Sequence, residues 1–330
     1  MKRLAGRQLL FLLFFLLLAL LVILAALFCG SSFVPYGEFF DGNGALVPLV
    51  RARMSRILTS FVVGGSLALA GCAYQAVLRN PLAEPFILGV SGGSALGAAL
   101  SFITGAAVSS IYAIPAFAAL GGLCAVSFVL LLGMLNKGDS TSLLLSGVVA
   151  GTISSSCLMC LVTIAGTQEM CSMTWFLLGD LAATDPLLLR FFAVFAPCVA
   201  FLLWLLSPKA NALALGDDYA WSMGSDPKKT SCALIFLASL LTAGSVALSG
   251  IIGFVGLIVP HILRKCGYSD NRKLFPLSFF AGGVFLIFCD LVSRSVFPER
   301  EVPSGVITSL LGGALFLWLL HGRNRERRGK

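Results

Sequence analysis

Few side chains in this sequence are set up for covalent chemistry. The 330 residues include two histidines, His261 and His321. No GxxxxGK[ST] phosphate loop, HExxH pair or GxSxG elbow occurs. Nucleotide hydrolysis and metal- or serine-based hydrolysis therefore lack their residue sets, and the chain reads as non-catalytic. Cys157 and Cys160 form a CxxC inside an apolar run with no second pair nearby. They read as buried helix packing rather than a redox or zinc site. No cofactor or metal is expected to be bound by this chain.

What remains is charge placed at the ends of apolar runs. Arg53 and Arg56, three apart, share a helical face just ahead of one run, and Arg294 closes a later one. Such guanidiniums either pair with carboxylates on a partner or ligand or anchor helix ends at the membrane interface. Asp290 is the conspicuous acid within a run. An i,i+4 pair with Arg294 accounts for it, and a proton relay in an ion-driven transporter is the alternative. The link ALALGDDYAWSMGSDP carries Asp217 and Asp218 at the head of a short helix, then Tyr219, Ala220, Trp221, Met223 and the terminating Gly224. Its apolar side suits either a partner protein or the bilayer surface. His261, next to Pro260, reads as a helix-end residue.

The elements that must position these residues are membrane helices. The chain is 58% hydrophobic and 12% charged, with mean hydropathy +0.96, whereas soluble domains carry about 25% charged residues. At about 20 residues per span, the apolar runs predict about ten spans in one all-α domain covering 1–330. They fall at 9–29, 57–78, 86–102, 114–135, 142–164, 187–206, 231–248, 251–263, 274–292 and 306–320. A short interfacial or re-entrant helix is expected over 166–183, an exterior loop over 31–50, a cytoplasmic link at about 208–229 and a basic tail at 321–330. Lys2, Arg3 and Arg7 precede the first run, which reads as an uncleaved span. With the N-terminus inside, most of the 23 Lys and Arg fall on the cytoplasmic side, so both termini are placed there. The net charge of +8 is then a fringe at the membrane surface, not a nucleic-acid site.

The runs 57–78 and 86–102 form a hairpin around which the rest is organised. Their link, Arg79-Asn80-Pro81-Leu82-Ala83-Glu84-Pro85, is forced out of helix by its two prolines. Beyond it, Gly89, Gly93 and Gly97 recur every four residues. That spacing predicts one glycine face for close helix approach.

The stretch GGSLALAGCAYQAVLRNPLAEPFILGVSGGSALGA resembles the GxxLAxxGxxxQxxxxNPLAxPxxLGxxxGA pattern of the FecCD-type permeases. These are the membrane subunits of ABC importers for iron–siderophore, haem and cobalamin. ALGDDYAWSMG resembles that family's LGxxxAxxLG loop, and GIIGFVGLIVPHILRKCG followed by EVPSGVITSLLGG completes the match. The resemblance departs at Ala314, where proline is frequent, and at Ser304, where a branched aliphatic is usual. It implies a type II importer fold in the cytoplasmic membrane of a bacterium or archaeon. It also implies three partners: a second copy or homologous permease, a separate ATPase seated on the Asp217–Gly224 region, and an extracytoplasmic binding protein meeting Arg53, Arg56 and Arg294. A ferric siderophore is the expected cargo, with haem or cobalamin as alternatives.

Overall fold

The computed structural model describes residues 2–30, 47–135, 140–182, 184–296 and 301–328. The described residues are nearly all helical and include no strand. In chain order the helices are α1 (Lys2–Phe28), α2 (Val47–Val77), α3 (Val90–Ile103), α4 (Ala106–Ser109), α5 (Ala113–Leu135), α6 (Ser140–Ile164) and α7 (Thr167–Leu178). They continue with α8 (Pro186–Leu205), α9 (Ser207–Leu215), α10 (Asp217–Ser222), α11 (Pro227–Ser249), α12 (Val255–Lys265), α13 (Asn271–Val296) and α14 (Ser304–Arg328). A 3₁₀ turn over Pro85–Leu88 leads into α3.

Helix α2 is the hub. It packs most heavily on α13 and also touches α11, α12, α8 and α9, while α3, α5 and α6 form a second group joined to it through α11. Small residues in α2 make this possible, because lipid supplies no hydrophobic drive between helices and close backbone contact must hold them. Gly64 and Gly282 abut so closely that a Cβ on either would stand 2.3 Å from the other's carbonyl oxygen. At Gly71 a Cβ would stand 2.0 Å from the Gly256 oxygen. Side chains lock the same contacts: Cys72 Sγ donates to Ser278 Oγ at 3.0 Å, and Tyr74 and Ser239 hydroxyls meet at 2.7 Å.

Two prolines inside helices are compensated across the fold. Each removes the N–H that would have served the carbonyl four residues earlier. Pro260 frees the Gly256 oxygen, which accepts from Gln75 Nε2 at 3.1 Å. Pro276 frees the Arg272 oxygen, which accepts from Trp204 Nε1 at 3.0 Å. Unpaired carbonyls in a bilayer would each cost several kcal/mol, and these long-range donors replace the bonds that the prolines remove.

Among the described residues six helices, α2, α5, α6, α8, α11 and α13, are long and apolar enough to cross a membrane, with further apolar stretches at Leu13–Phe28 within α1, Val90–Ile103 and Ser304–Phe316 within α14. The expected 251–263 span is corrected. Ile251–Phe254 is not helical and α12 begins only at Val255. The 57–78 span begins earlier than its apolar run, since Val47–Ser55 is already helix. The expected loop therefore ends before Val47, its residues 31–46 lying outside the described set. The tail through Arg328 continues α14 rather than leaving it. The three-glycine face is also split. Gly93 and Gly97 receive α5, with their Cβ positions 2.5 Å from Gly121 O and 2.0 Å from Phe117 O. Gly89 instead precedes α3 at φ 76° and lies against Gly147 and Gly151 of α6. Cys157 and Cys160 are exposed on α6, not buried, because α6 packs through one face only.

Candidate functional sites

At the Arg79 end of α2, α9 and α10 form a short helical platform. Gly216 at φ 131° allows the bend between them, and Asp217 and Asp218 occupy the first turn of α10, where a helix favours negative charge. Ala220 is fully buried, whereas Tyr219, Trp221 and Met223 are 45%, 59% and 65% exposed. Gly224, at φ 73° with open space around it, ends the platform. Asp226 then caps α11 by accepting from the N–H groups of Lys228 and Lys229. An exposed aromatic–methionine group beside carboxylates is the composition of a protein-docking surface.

The platform is tied to the hairpin link. Arg79 Nε donates to the Leu213 carbonyl at 2.8 Å, and its Nη2 pairs with Asp217. Within the link, Asn80 Oδ1 accepts from Leu82 N–H at 3.0 Å and Ala83 N–H donates to the Asn80 carbonyl at 3.0 Å. Gln75 Nε2 donates to the Ala83 carbonyl at 3.1 Å, and its Oε1 accepts from Arg264. Pro81 is exposed, Leu82 half in solvent, and Ala83 and Pro85 are buried. Pro260 is buried and His261 partly so, one turn before the end of α12.

At the opposite end of α2, the three arginines are not the exposed cluster expected. Arg53, Arg56 and Arg294 retain 3%, 9% and 3% exposure. Arg56 Nε donates to Asp290 Oδ1 at 2.7 Å and Arg56 Nη1 to Glu301 at 2.6 Å. Arg294 Nε stands 3.0 Å from Asp290 Oδ2, the expected i,i+4 pair, close in distance although not aligned as a hydrogen bond. Arg53 and Arg294 also donate to the Leu27, Phe28 and Ala26 carbonyls at the end of α1. The end of α1 covers this cluster, which a sequence scan by charge does not register. Ser304, where the sequence departed from its pattern, donates to Asp290 at 3.3 Å. Asp290 is therefore held by two guanidiniums and a hydroxyl. Glu301, 44% exposed, is the member of the cluster that reaches the surface.

Between the two ends, non-helical backbone converges beside a cavity of about 440 Å³. Asp180 N–H donates to Ser249 O at 2.8 Å, and Gly305 N–H to Gly179 O at 3.3 Å. Glu84, Phe86, Leu178, Phe254, Val306 and Ser309 are among the lining residues. Irregular backbone at such depth is tolerated where protein buries it or where it lines a cavity. A larger groove of about 680 Å³ between α5, α8 and α11 is walled by apolar side chains. Among the described residues no cluster of His, Cys, Asp and Glu could hold a metal ion.

The model of the FecCD transport family matches residues 17–322. The vitamin B12 import system permease BtuC of Klebsiella pneumoniae is 34% identical over 298 residues, covering 90% of this chain and 89% of that protein. The uncharacterised ABC transporter permease YvrB of Bacillus subtilis is 30% identical over 324 residues, covering 93% and 92%. A solved inward-facing structure assigned to the metal-chelate type of ABC transporter superposes with TM-score 0.82 at 29% identity, covering 97% of this chain and 99% of that one. PsaBC of Streptococcus pneumoniae, TM-score 0.59 at 18% identity, shares the fold.

Proposed function

Because the chain belongs to the FecCD transport family and is an ABC importer permease, we propose that it carries an iron chelate, first of all a ferric siderophore, across the cytoplasmic membrane. ATP hydrolysis lies on a separate ATPase chain that seats on α9–α10. A second copy, or a homologous permease, covers the unpartnered face of α6, and the cargo passes along the shared axis. Both termini are cytoplasmic, and α1, α3, α14 and the stretch 251–265, unwound ahead of α12, complete ten crossings with the six long helices. An extracytoplasmic binding protein delivers cargo at the Arg53, Arg56 and Arg294 end, where Glu301 is the surface-reaching member.

The observation that carries this reading is the platform: Tyr219, Trp221 and Met223 exposed on a helix fixed to the central α2 through Arg79 and Asp217. Cobalamin is the second reading, favoured by the vitamin B12 permeases among the relatives; haem follows. The ion-driven alternative rested on Asp290, which is held between Arg56 and Arg294.

The test is a pull-down of the tagged chain from native membranes in mild detergent, with mass spectrometry of what accompanies it. An ATPase subunit in near-equal amount is the expected result. A co-purifying binding protein is then titrated with ferrichrome, haem and cobalamin to name the cargo. Gly224→Pro, which cannot adopt the positive φ found there, is expected to release the ATPase while the permease still inserts. Unchanged co-purification in that variant would remove α9–α10 as the seat.

A further inference from the structure

Among the described residues, two that are not glycine hold positive φ: Arg79 at 49° and Phe254 at 68°. For an aromatic or long side chain this is an outlier that surrounding contacts must enforce. The two lie 175 positions apart in sequence yet sit at the two ends of one line of contacts. Arg79 is held on the docking platform by the Leu213 carbonyl and Asp217. Five residues later, the Glu84 carboxylate accepts the N–H of Phe254. Phe254 offers no side-chain cap to α12, which it opens, and Glu84 satisfies the N–H of Phe254 itself from another part of the chain.

The segment between is stiff. Pro81 and Pro85 fix their φ angles, the Asn80 turn closes on Leu82 and Ala83, and Gln75 clamps the Ala83 carbonyl. Beyond Glu84 the line continues into the cavity wall. The Phe254 side chain lies against α14, where a Cβ on Gly312 would come 2.5 Å from it. Glu84 and Phe254 both line the cavity of about 440 Å³.

We propose that residues 79–85 act as a connecting rod between the platform and the cavity. Movement of α9–α10 is carried by Arg79 through the stiff link to Glu84, which shifts the start of α12 and, through Phe254, α14. Arg79 and Glu84 are positioning residues in this scheme. A switch of this kind needs an element with two arrangements, and the two strained residues supply its joints. The inference rests on the reading of α9–α10 as the ATPase seat.

The test uses the full permease–ATPase complex in nanodiscs and needs no cargo. Hydrogen–deuterium exchange over residues 250–256 is compared between nucleotide-free and ATP–vanadate-trapped complex. In the wild-type complex the exchange rate there is expected to differ at least fivefold between the two states. Arg79→Ala and Glu84→Ala are expected to cut that difference below twofold, while Glu84→Gln, which keeps an acceptor for the Phe254 N–H, retains most of it. Asp217→Arg alone is expected to lose the difference, and combining it with Arg79→Asp to restore it. A purely structural role would shift the baseline exchange and leave the nucleotide dependence intact, which would overturn the proposal. So would a wild-type complex without nucleotide dependence. Should Glu84→Ala fail to assemble, Glu84→Gln and the charge exchange carry the decision. Failure of the ATPase to accompany the wild-type chain is a separate result, and it removes the platform reading itself.

Discussion

Helices α2 and α6 are both long, apolar and rich in small residues, yet the fold uses them in opposite ways. The most apolar window of α2 is 83% buried inside the chain and that of α6 only 17%. In α2 the glycines meet backbone of α13 and α12, and Arg56, Cys72, Tyr74 and Gln75 are bonded to partners within the chain. In α6 one face meets α3 and α5, and the other leaves Leu145, Val148, Ile153, Met159 and Ile164 more than half exposed. The difference teaches that apolar composition says a helix leaves water, while backbone approach and polar pairing say where it goes next. A helix with its polar groups matched inside the chain is a scaffold. One with a bare face is arranged for lipid or for another subunit.

Substitutions around α2 should therefore be costly, and those on the bare face of α6 cheap for the single chain. Asp290→Asn should have the largest effect, about 3–5 kcal/mol, because it leaves Arg56 and Arg294 buried without their shared counter-charge. A steep drop in the detergent melting temperature is the expected readout. Gln75→Ala should cost about 1–3 kcal/mol, the penalty for stranding buried partners at Ala83 and Gly256. Gln75→Glu, which removes the donor but keeps the size, should fare no better in the same assay. Asp270→Ala should cost about 1 kcal/mol as a lost helix cap, since Asp270 accepts from the Arg272 N–H ahead of α13.

That N–H, with Asn211 and nearby Arg272 and Lys273 adding to it, holds the Asp270 carboxyl below its ordinary range. Its contribution is thus complete above the ordinary carboxylate value of about 3.9 and fades as pH falls through the lower folded value. A melting series from pH 7 downward should show the wild-type advantage over Asp270→Ala persisting past pH 5. Met159→Ala on α6 should change the monomer's stability by no more than about 0.5 kcal/mol. Its effect should appear instead as a smaller dimer fraction by light scattering. A large loss of monomer stability there would erase the contrast between the two helices.

Much of this was readable from residue order alone. The all-helical membrane architecture followed from composition, the hairpin link from its prolines, the platform from an acidic–aromatic run between helices, and the Asp290–Arg294 pair from four-residue spacing. What escaped depends on partners distant in sequence. Arg53, Arg56 and Arg294 looked external because charge at the end of an apolar run normally meets water, and the end of α1 covers them instead. Residues 251–254 looked like the start of a span because they are apolar. Their backbone is unwound, with Glu84 meeting its final N–H, and no local pattern encodes a contact across 170 positions. The exposure of Cys157 and Cys160 was equally hidden, since an apolar helix has the same composition whether its neighbour is its own chain or another molecule.

The proline inside α12, Pro260, bears on how the protein is made. Helix α12 has 11 residues, about 16 Å of rise against about 30 Å of hydrocarbon, and one of its carbonyls waits for a donor on α2. It cannot leave the insertion machinery as an independent span. It must enter folded against α2 or α13, and α2 has by then been waiting in the bilayer for most of translation. The Gln75–Gly256 bond then forms late, once α12 has docked on α2.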